Sequence, residues 1–310
     1  MLIIKRTLAA LLVIFGVSVA VFVLTHVIPG DPIEVMLGER AQAADRAALA
    51  AAYGLDRSLP EQMLHYYQGL LTLDLGESFH YHRPVVELIA ERLPATAELA
   101  VAAMVVSLLV ALILGMVSAW YRNSWIDDGA RVLSLLGVSI PNFWLGPMLI
   151  LAGAVMLGWF PVSGRQGFSS LVLPAITLGT ALAAIVARML RNSLLEIAEA
   201  DFVRTARAKG LSEWTILWRH SLRNALLPVV TLVGLQIGAI LGGSVIVETV
   251  FSWPGVGRLT VEAIQSRDYP LVQGCVLLIA VLYVVINLLT DVAYGLIDPR
   301  IRLSGSAGAN

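Results

Sequence analysis

Six stretches of about twenty or more mostly apolar residues recur along the 310-residue chain, at about 8–28, 95–120, 132–157, 171–190, 226–250 and 271–296. A helix rises about 1.5 Å per residue, so about 20 such residues cross the roughly 30 Å of hydrocarbon in a bilayer. Composition points the same way. With 58% hydrophobic and 14% charged residues and a mean hydropathy of +0.80, little is left to coat a soluble globule. The expected architecture is an all-α membrane protein with six transmembrane helices. The first run has Lys5 and Arg6 before it, as a secretory signal would, but it is too long and lacks a small-residue cleavage site. An uncleaved anchor is expected.

Basic residues set the expected orientation, because loops that stay inside retain Lys and Arg. Lys5 and Arg6 place the N-terminus inside, and Arg300 and Arg302 agree for the C-terminus after an even number of spans. The loops holding Arg122 and Arg131, and Arg188, Arg191, Arg204, Arg207, Lys209, Arg219 and Arg223, fall on the same side. The acid-rich segment 30–94 then lies outside. Its alanine-rich start reads as a short helix ending on Gly54, and a second helix is expected after Pro60 with Met63, Leu64, Tyr67 and Leu71 on one face. It therefore reads as a small folded cap packed on the rest of the chain. Trp120 and Trp125 toward one face, and Trp159, Phe160 and Trp253 toward the other, suit interfacial belts. The divisions are an anchor at 1–29, the cap at 30–94, a five-helix core at 95–303 that includes the inner loop 188–224, and a tail at 304–310.

Net charge of −1 and only two lysines, Lys5 and Lys209, exclude a nucleic-acid binder. The single cysteine, Cys275, lies beside an apolar run and reads as a buried small hydrophobe. No G-x-x-x-x-G-K-[ST], H-E-x-x-H, G-x-S-x-G or CxxC pattern occurs, so neither nucleotide binding nor an enzymatic centre is expected in this chain. His80 and His82, with His65, Asp74 and Glu77, could share a metal only on an extended backbone. A solvated loop is the simpler reading.

Polar residues within the spans are few: Asn142, Gln236, Asn287 and Asp291. Asn287 and Asp291 are four apart and share a helix face. Asp291 suits the inner interface in a structural role, against a proton or substrate role. Gly234, Gly238, Gly242 and Gly243 permit close helix packing, as a dimer contact or a pathway lining.

The inner loop is the most informative region. Asp201 is placed to cap a helix over 202–209, Gly210 suits the left-handed residue that ends it, and Ser212 can cap a second helix. Leu211, Trp214, Trp218 and Leu222 recur there at helical spacing. That stripe suits lipid headgroups, the bundle or another protein.

Asp201-Phe202-Val203-Arg204-Thr205-Ala206-Arg207-Ala208-Lys209-Gly210-Leu211, followed by HSLRNALLP from His220 to Pro228, resembles the coupling loop of binding-protein-dependent ABC transporter permeases, in the dipeptide, oligopeptide, glutathione and nickel branch. Pro29-Gly30-Asp31-Pro32, Ser139-Ile140-Pro141-Asn142-Phe143-Trp144, Gly242-Gly243-Ser244 with Glu248, Phe251-Ser252-Trp253-Pro254-Gly255-Val256-Gly257, Arg267-Asp268-Tyr269-Pro270 and Asp298-Pro299-Arg300-Ile301-Arg302 follow in the same order. In the general E-A-A-x-x-x-G signature, Arg204-Thr205-Ala206 replaces E-A-A and Gly210 matches.

The resemblance implies a multi-pass subunit of a bacterial inner-membrane importer, with both termini cytoplasmic and a periplasmic cap. It implies a homologous second permease as heterodimer partner, two cytoplasmic ATPase subunits that use the ATP, and a periplasmic solute-binding protein. Residues 203–219 would dock on an ATPase, with Asp201, Arg204, Thr205, Ala206, Arg207, Lys209, Gly210, Leu211, Trp214 and Trp218 as the coupling set. Gln236, Gly238, Gly242, Asn287 and Asp291 are the candidate pathway or packing residues. Dipeptides or oligopeptides lead as cargo, then glutathione, then nickel. A secondary transporter and a membrane scaffold are the rival classes, and neither explains the ordered motifs.

Overall fold

A computed structural model describes the backbone of residues 2–27, 33, 37 and 43–297, and the side chains of 7–27, 33, 37 and 44–290. Pro29 to Pro32, Asp298 to Arg302, the tail 304–310 and the side chains of Lys5, Arg6 and Asp291 lie outside the described residues. Among those described, the chain is helical, with one isolated antiparallel bridge between Glu77 and Pro84. Five helices are long and apolar enough to cross a membrane: α1 (Leu2–Val27), α4 (Val85–Trp120), α7 (Phe168–Ala198), α9 (Glu213–Val250) and α11 (Tyr269–Ile297). Shorter helices are α2 (Ala43–Ala52), α3 (Leu59–Thr72), α8 (Asp201–Ala208) and α10 (Val256–Gln265).

The third expected span is not one straight helix. It is α5 (Trp125–Ser139) followed by α6 (Asn142–Met156), with a 107° bend between them, and it makes a sixth crossing only if the pair is taken together. Pro141 explains the break, since it has no N–H to continue the ladder and forces extended backbone on Ile140, whose ψ is 116°. The far half of α6, Ile150–Met156, is wound as a π-helix.

Elsewhere prolines do not end helices. Pro94, Pro174 and Pro228 lie inside α4, α7 and α9, so α4 starts ten residues before the apolar run that begins at Ala95. Nor is the second inner-loop helix separate. It continues without interruption into the fifth span as α9, through a π-helical stretch at Ile216–Ser221.

The chain packs as two compact units, residues 1–96 with 254–288, and residues 97–253 with 289–310. In the first, Val85, Leu88 and Ile89 of α4, Val256, Leu259 and Ala263 of α10, and Leu271, Val272 and Cys275 of α11 form one buried cluster. Cys275 is a fully buried free thiol within it. The outer segment packs on α1 through α3, using only part of the expected face. Leu64 and Leu71 are exposed, whereas Tyr67 stacks on Phe15 and shares a 3.0 Å hydrogen bond with Ser18, and Tyr66 packs on Phe22. The helix starts at Ser58, whose N–H donates to Glu61 at 3.0 Å, and a left-handed Leu73 (φ 58°) ends it. Before it, α2 closes on Gly54 (φ +67°), with the Leu55 N–H donating back to Ala50 O at 2.9 Å.

Asp268 clamps this unit. Its buried carboxylate accepts from the Ser78 hydroxyl at 2.5 Å, the His80 N–H at 3.2 Å and the Leu271 N–H at 3.2 Å, so the loop before α4 is fastened to the first turn of α11.

In the second unit α7 is central. Within its apolar window 72% of residues are buried, against 17–28% for the other four long helices. Small residues make that possible: a Cβ on Gly179 would lie 2.6 Å from the Ala103 carbonyl oxygen of α4, and one on Gly137 of α5 would lie 3.2 Å from Ala184. Burying backbone against backbone gains dispersion contacts that lipid tails would otherwise supply. Trp253 departs from the expected interfacial belt. It is fully buried beside Phe251, whose carbonyl accepts the Gly164 N–H at 2.8 Å. Trp125 and Trp159 are 82% and 69% exposed.

Candidate functional site

The inner loop is held by a small core of its own. Val203 and Ala206 from one face of α8 close over Ile216 of α9, with Ile197 of α7 against them. The amphipathic spacing of Val203 and Ala206, three apart, decides which side of α8 is buried. Of the coupling set, Ala206 alone turns inward. Asp201, Arg204, Thr205, Arg207, Lys209, Gly210, Leu211, Trp214 and Trp218 are all exposed.

Asp201 is not the cap. Ala200 holds the extended N-cap backbone, and Asp201 is the first helical residue, with a carboxylate that accepts from Arg204 at 3.2 Å. An acidic side chain there still favours the positive end of the helix dipole. The other end closes as the glycine requires: Gly210 has φ +79°, its N–H donates to Arg207 O at 2.9 Å, and the Leu211 N–H donates to Ala206 O at 3.3 Å. Ser212 then accepts the Thr215 N–H at 3.3 Å and starts α9.

A fork joins the two helices. Arg207 donates from Nε to Glu213 Oε1 at 2.7 Å and from Nη2 to Oε2 at 3.1 Å, which raises the guanidinium above its already high range. The expected four-residue stripe is not continuous, because the π-helical stretch changes the angular step between Trp218 and Leu222. Leu222 is buried among Val186, Leu190 and Ala225, while Trp214 and Trp218 stay 61% and 45% exposed. These two tryptophans meet edge to face at 5.5 Å, and Trp120 at the end of α4 meets Trp214 at 5.9 Å. The outward surface thus carries an aromatic patch, and Arg204, Lys209, Arg219 and Arg223 are exposed on the same loop.

The candidate pathway residues are spread along their helices. On α9, Gln236 is half-buried, Gly238 is buried, and Gly242 faces open space. Gly234 packs against Thr290, whose hydroxyl donates to its carbonyl at 3.2 Å. Asn287 is half-buried on α11. The outer histidines do not share a face. The backbone turns, with the His82 N–H donating to Ser78 O at 3.0 Å and His82 at φ 49°, and among the described residues no three metal-binding side chains gather.

Two features had escaped the sequence reading. One is a cavity of about 560 Å³ in the first unit, lined by His26, Gln62, His65, Tyr66, Asp74 and Tyr269 among others. Burial pushes the Tyr66 phenol up to about 12. The other is a buried ion pair in the second unit, Asp127 with Arg191, whose Nε and Nη2 donate at 2.9 and 2.8 Å. Its partners are 64 residues apart, and the only sequence signal is an arginine close to the end of an apolar run.

Comparison with known proteins places this geometry. Residues 111–303 match the family described as the binding-protein-dependent transport system inner membrane component, and residues 1–100 match its N-terminal companion. The chain is 42% identical over 300 residues to the glutathione transport system permease protein GsiC of Escherichia coli strain K12, covering 97% of this chain and 98% of that one. To the protein of the same name from Pectobacterium atrosepticum it is 43% identical over 299 residues, covering 96% and 98%. Among solved structures, an inward-facing form of the MetNI methionine ABC transporter aligns with a TM-score of 0.56 at 20% identity, over 68% of this chain and 96% of that one. An amino acid ABC transporter crystallised with histidines aligns at 0.51 and 19% identity, over 69% and 94%. With its polar loop, its apolar helices and nearly its whole length matched, the chain belongs to the binding-protein-dependent ABC permeases of the peptide, glutathione and nickel branch, and is the membrane subunit of an importer, not itself an enzyme.

Proposed function

We propose that this subunit carries glutathione or short peptides of similar size inward across the bacterial inner membrane. The observation that carries the reading is the end-to-end identity with GsiC proteins, which are named for glutathione transport. The family resemblance alone favours dipeptides and oligopeptides; the relatives move glutathione to the front. Nickel comes last, because the outer histidines are not arranged to hold a metal.

In this reading a homologous second permease completes the bundle, a periplasmic solute-binding protein delivers cargo, and two ATPase subunits dock on the loop 188–224 from the cytoplasm. The exposed face of α8, Gly210, Leu211, Trp214 and Trp218 form the docking surface. This chain binds no nucleotide, since no phosphate-cradling turn precedes Lys209. ATP closes the two ATPases together, the docked loops move with them, and the spans open alternately to the two sides. The anchor 1–29 crosses the membrane from a cytoplasmic N-terminus and with the periplasmic cap 30–94 braces the outer side, the core 95–303 forms the pathway with its partner, and the tail 304–310 is cytoplasmic.

The test is uptake by the full complex in proteoliposomes with its binding protein, comparing labelled glutathione, dipeptides and nickel ion. ATP-dependent accumulation of glutathione supports the reading. Accumulation of nickel alone, or of nothing that depends on ATP, overturns it.

A further inference from the structure

Asp127 is fully buried, and one carboxylate gathers donors from every element around it. Arg191 of α7 supplies the two-bonded fork at 2.9 and 2.8 Å. The Ser118 hydroxyl at the end of α4 donates at 2.5 Å, the Asn123 N–H of the connecting turn donates at 3.1 Å, and Arg131 approaches within 3.4 Å from the next turn of α5. Arg191 itself is only 16% exposed and stands about two turns before Ala198, where α7 gives way to the inner loop.

The same turn touches the loop twice more. Trp120 packs on Trp214 at the start of α9, and Arg122 pairs with Glu199 at 3.5 Å. The latter pair is mostly exposed and holds little. The Asp127 cluster is the buried, directional member of the three, and it lies where α7 leads into the loop.

A buried ion pair is a poor means of stabilising a fold, because an apolar pair of similar volume often does as well. What a carboxylate–guanidinium fork supplies instead is geometry, two parallel hydrogen bonds that fix rotation as well as distance. We infer that Asp127 and Arg191 are positioning residues for transport: they lock α7 to the α4–α5 turn, so that displacement of the docking loop 203–219 is passed to the spans rather than lost in slippage of α7. The inference rests on reading that loop as the ATPase dock.

The experiment uses the complete importer in proteoliposomes and reads the ratio of solute accumulated to ATP hydrolysed, which a purely structural role would not move. Three versions are compared: the native protein, R191K, and the double replacement D127L/R191M, which removes both charges of the fork and leaves Arg131 its pair with Asp128. The expected result is assembly of all three. The ratio falls by about tenfold in D127L/R191M, within the range that substitutions in a coupling network produce, and less in R191K, which keeps the charge but loses the fork. A native ratio in D127L/R191M overturns the inference. So does failure of D127L/R191M to assemble, which would mean that the pair serves folding. If the native subunit itself recovers no ATPase subunits, the docking reading has failed, and the inference falls with it.

Discussion

At φ +79° the backbone of Gly210 occupies a region where a Cβ meets the following carbonyl, and a β-branched side chain fares worst. Gly210→Val is expected to cost about 1–2 kcal/mol locally. Because no other atom lies within 4 Å of that Cβ position, the strain stays in the turn. Insertion of the spans should be intact, while recovery of ATPase subunits in a mild-detergent pull-down drops. Undiminished recovery would take the turn out of the docking surface. This residue was legible because a glycine after a basic helix has few other uses. Asp127 was not, since a carboxylate's burial depends on which arginine reaches it through space, and nothing in the spacing joins 127 to 191. Trp253 was misplaced for a related reason. Tryptophan suits both a membrane interface and a packed core, and only the surroundings decide.

Among the elements, the bend between α5 and α6 is the one that hydropathy could not show, because both arms are apolar and together have the length of one span. Pro141 carries it. Pro141→Ala restores an N–H that could donate to the residue four before and removes the ring that excludes helical backbone at Ile140. The 107° bend should decrease toward a straight helix. Spin labels at the exposed positions Leu133 and Val155 would then move apart, and an unchanged distance would show that packing against α7 and α9, not the proline, holds the bend. Prolines 94, 174 and 228 teach the opposite lesson. Long apolar helices absorb them where neighbouring segments satisfy the freed carbonyls, so a proline marks a boundary only when the flanking residues leave helical space too.

At the level of the whole molecule, helical class and approximate span positions were legible because length against bilayer thickness is a strong constraint. The grouping of residues 254–288 with 1–96 was not, because it joins segments distant in sequence. Orientation is open to a direct check that exploits the buried Cys275 as the one native thiol. In a Cys275→Ser background, Lys209→Cys should react with an impermeant maleimide only in inverted membrane vesicles, and His82→Cys only in intact spheroplasts. The reverse pattern would invert the topology and leave the loop on the wrong side for any ATPase.

One dimension of α9 bears on how far a small motion can reach. Its 38 residues run from Glu213 to Val250 as a single helix, which at about 1.5 Å per residue is a rod of about 57 Å. A rod of that length amplifies angles: tilting it by one degree about one end sweeps the other through about 1 Å. Pro228, where one rung of the ladder is missing, lies about 22 Å from the loop end. In the transport reading proposed above, leverage of this kind would turn a few degrees of rocking beside the loop into a change in aperture near the other end of the helix, with no element needing to melt or refold.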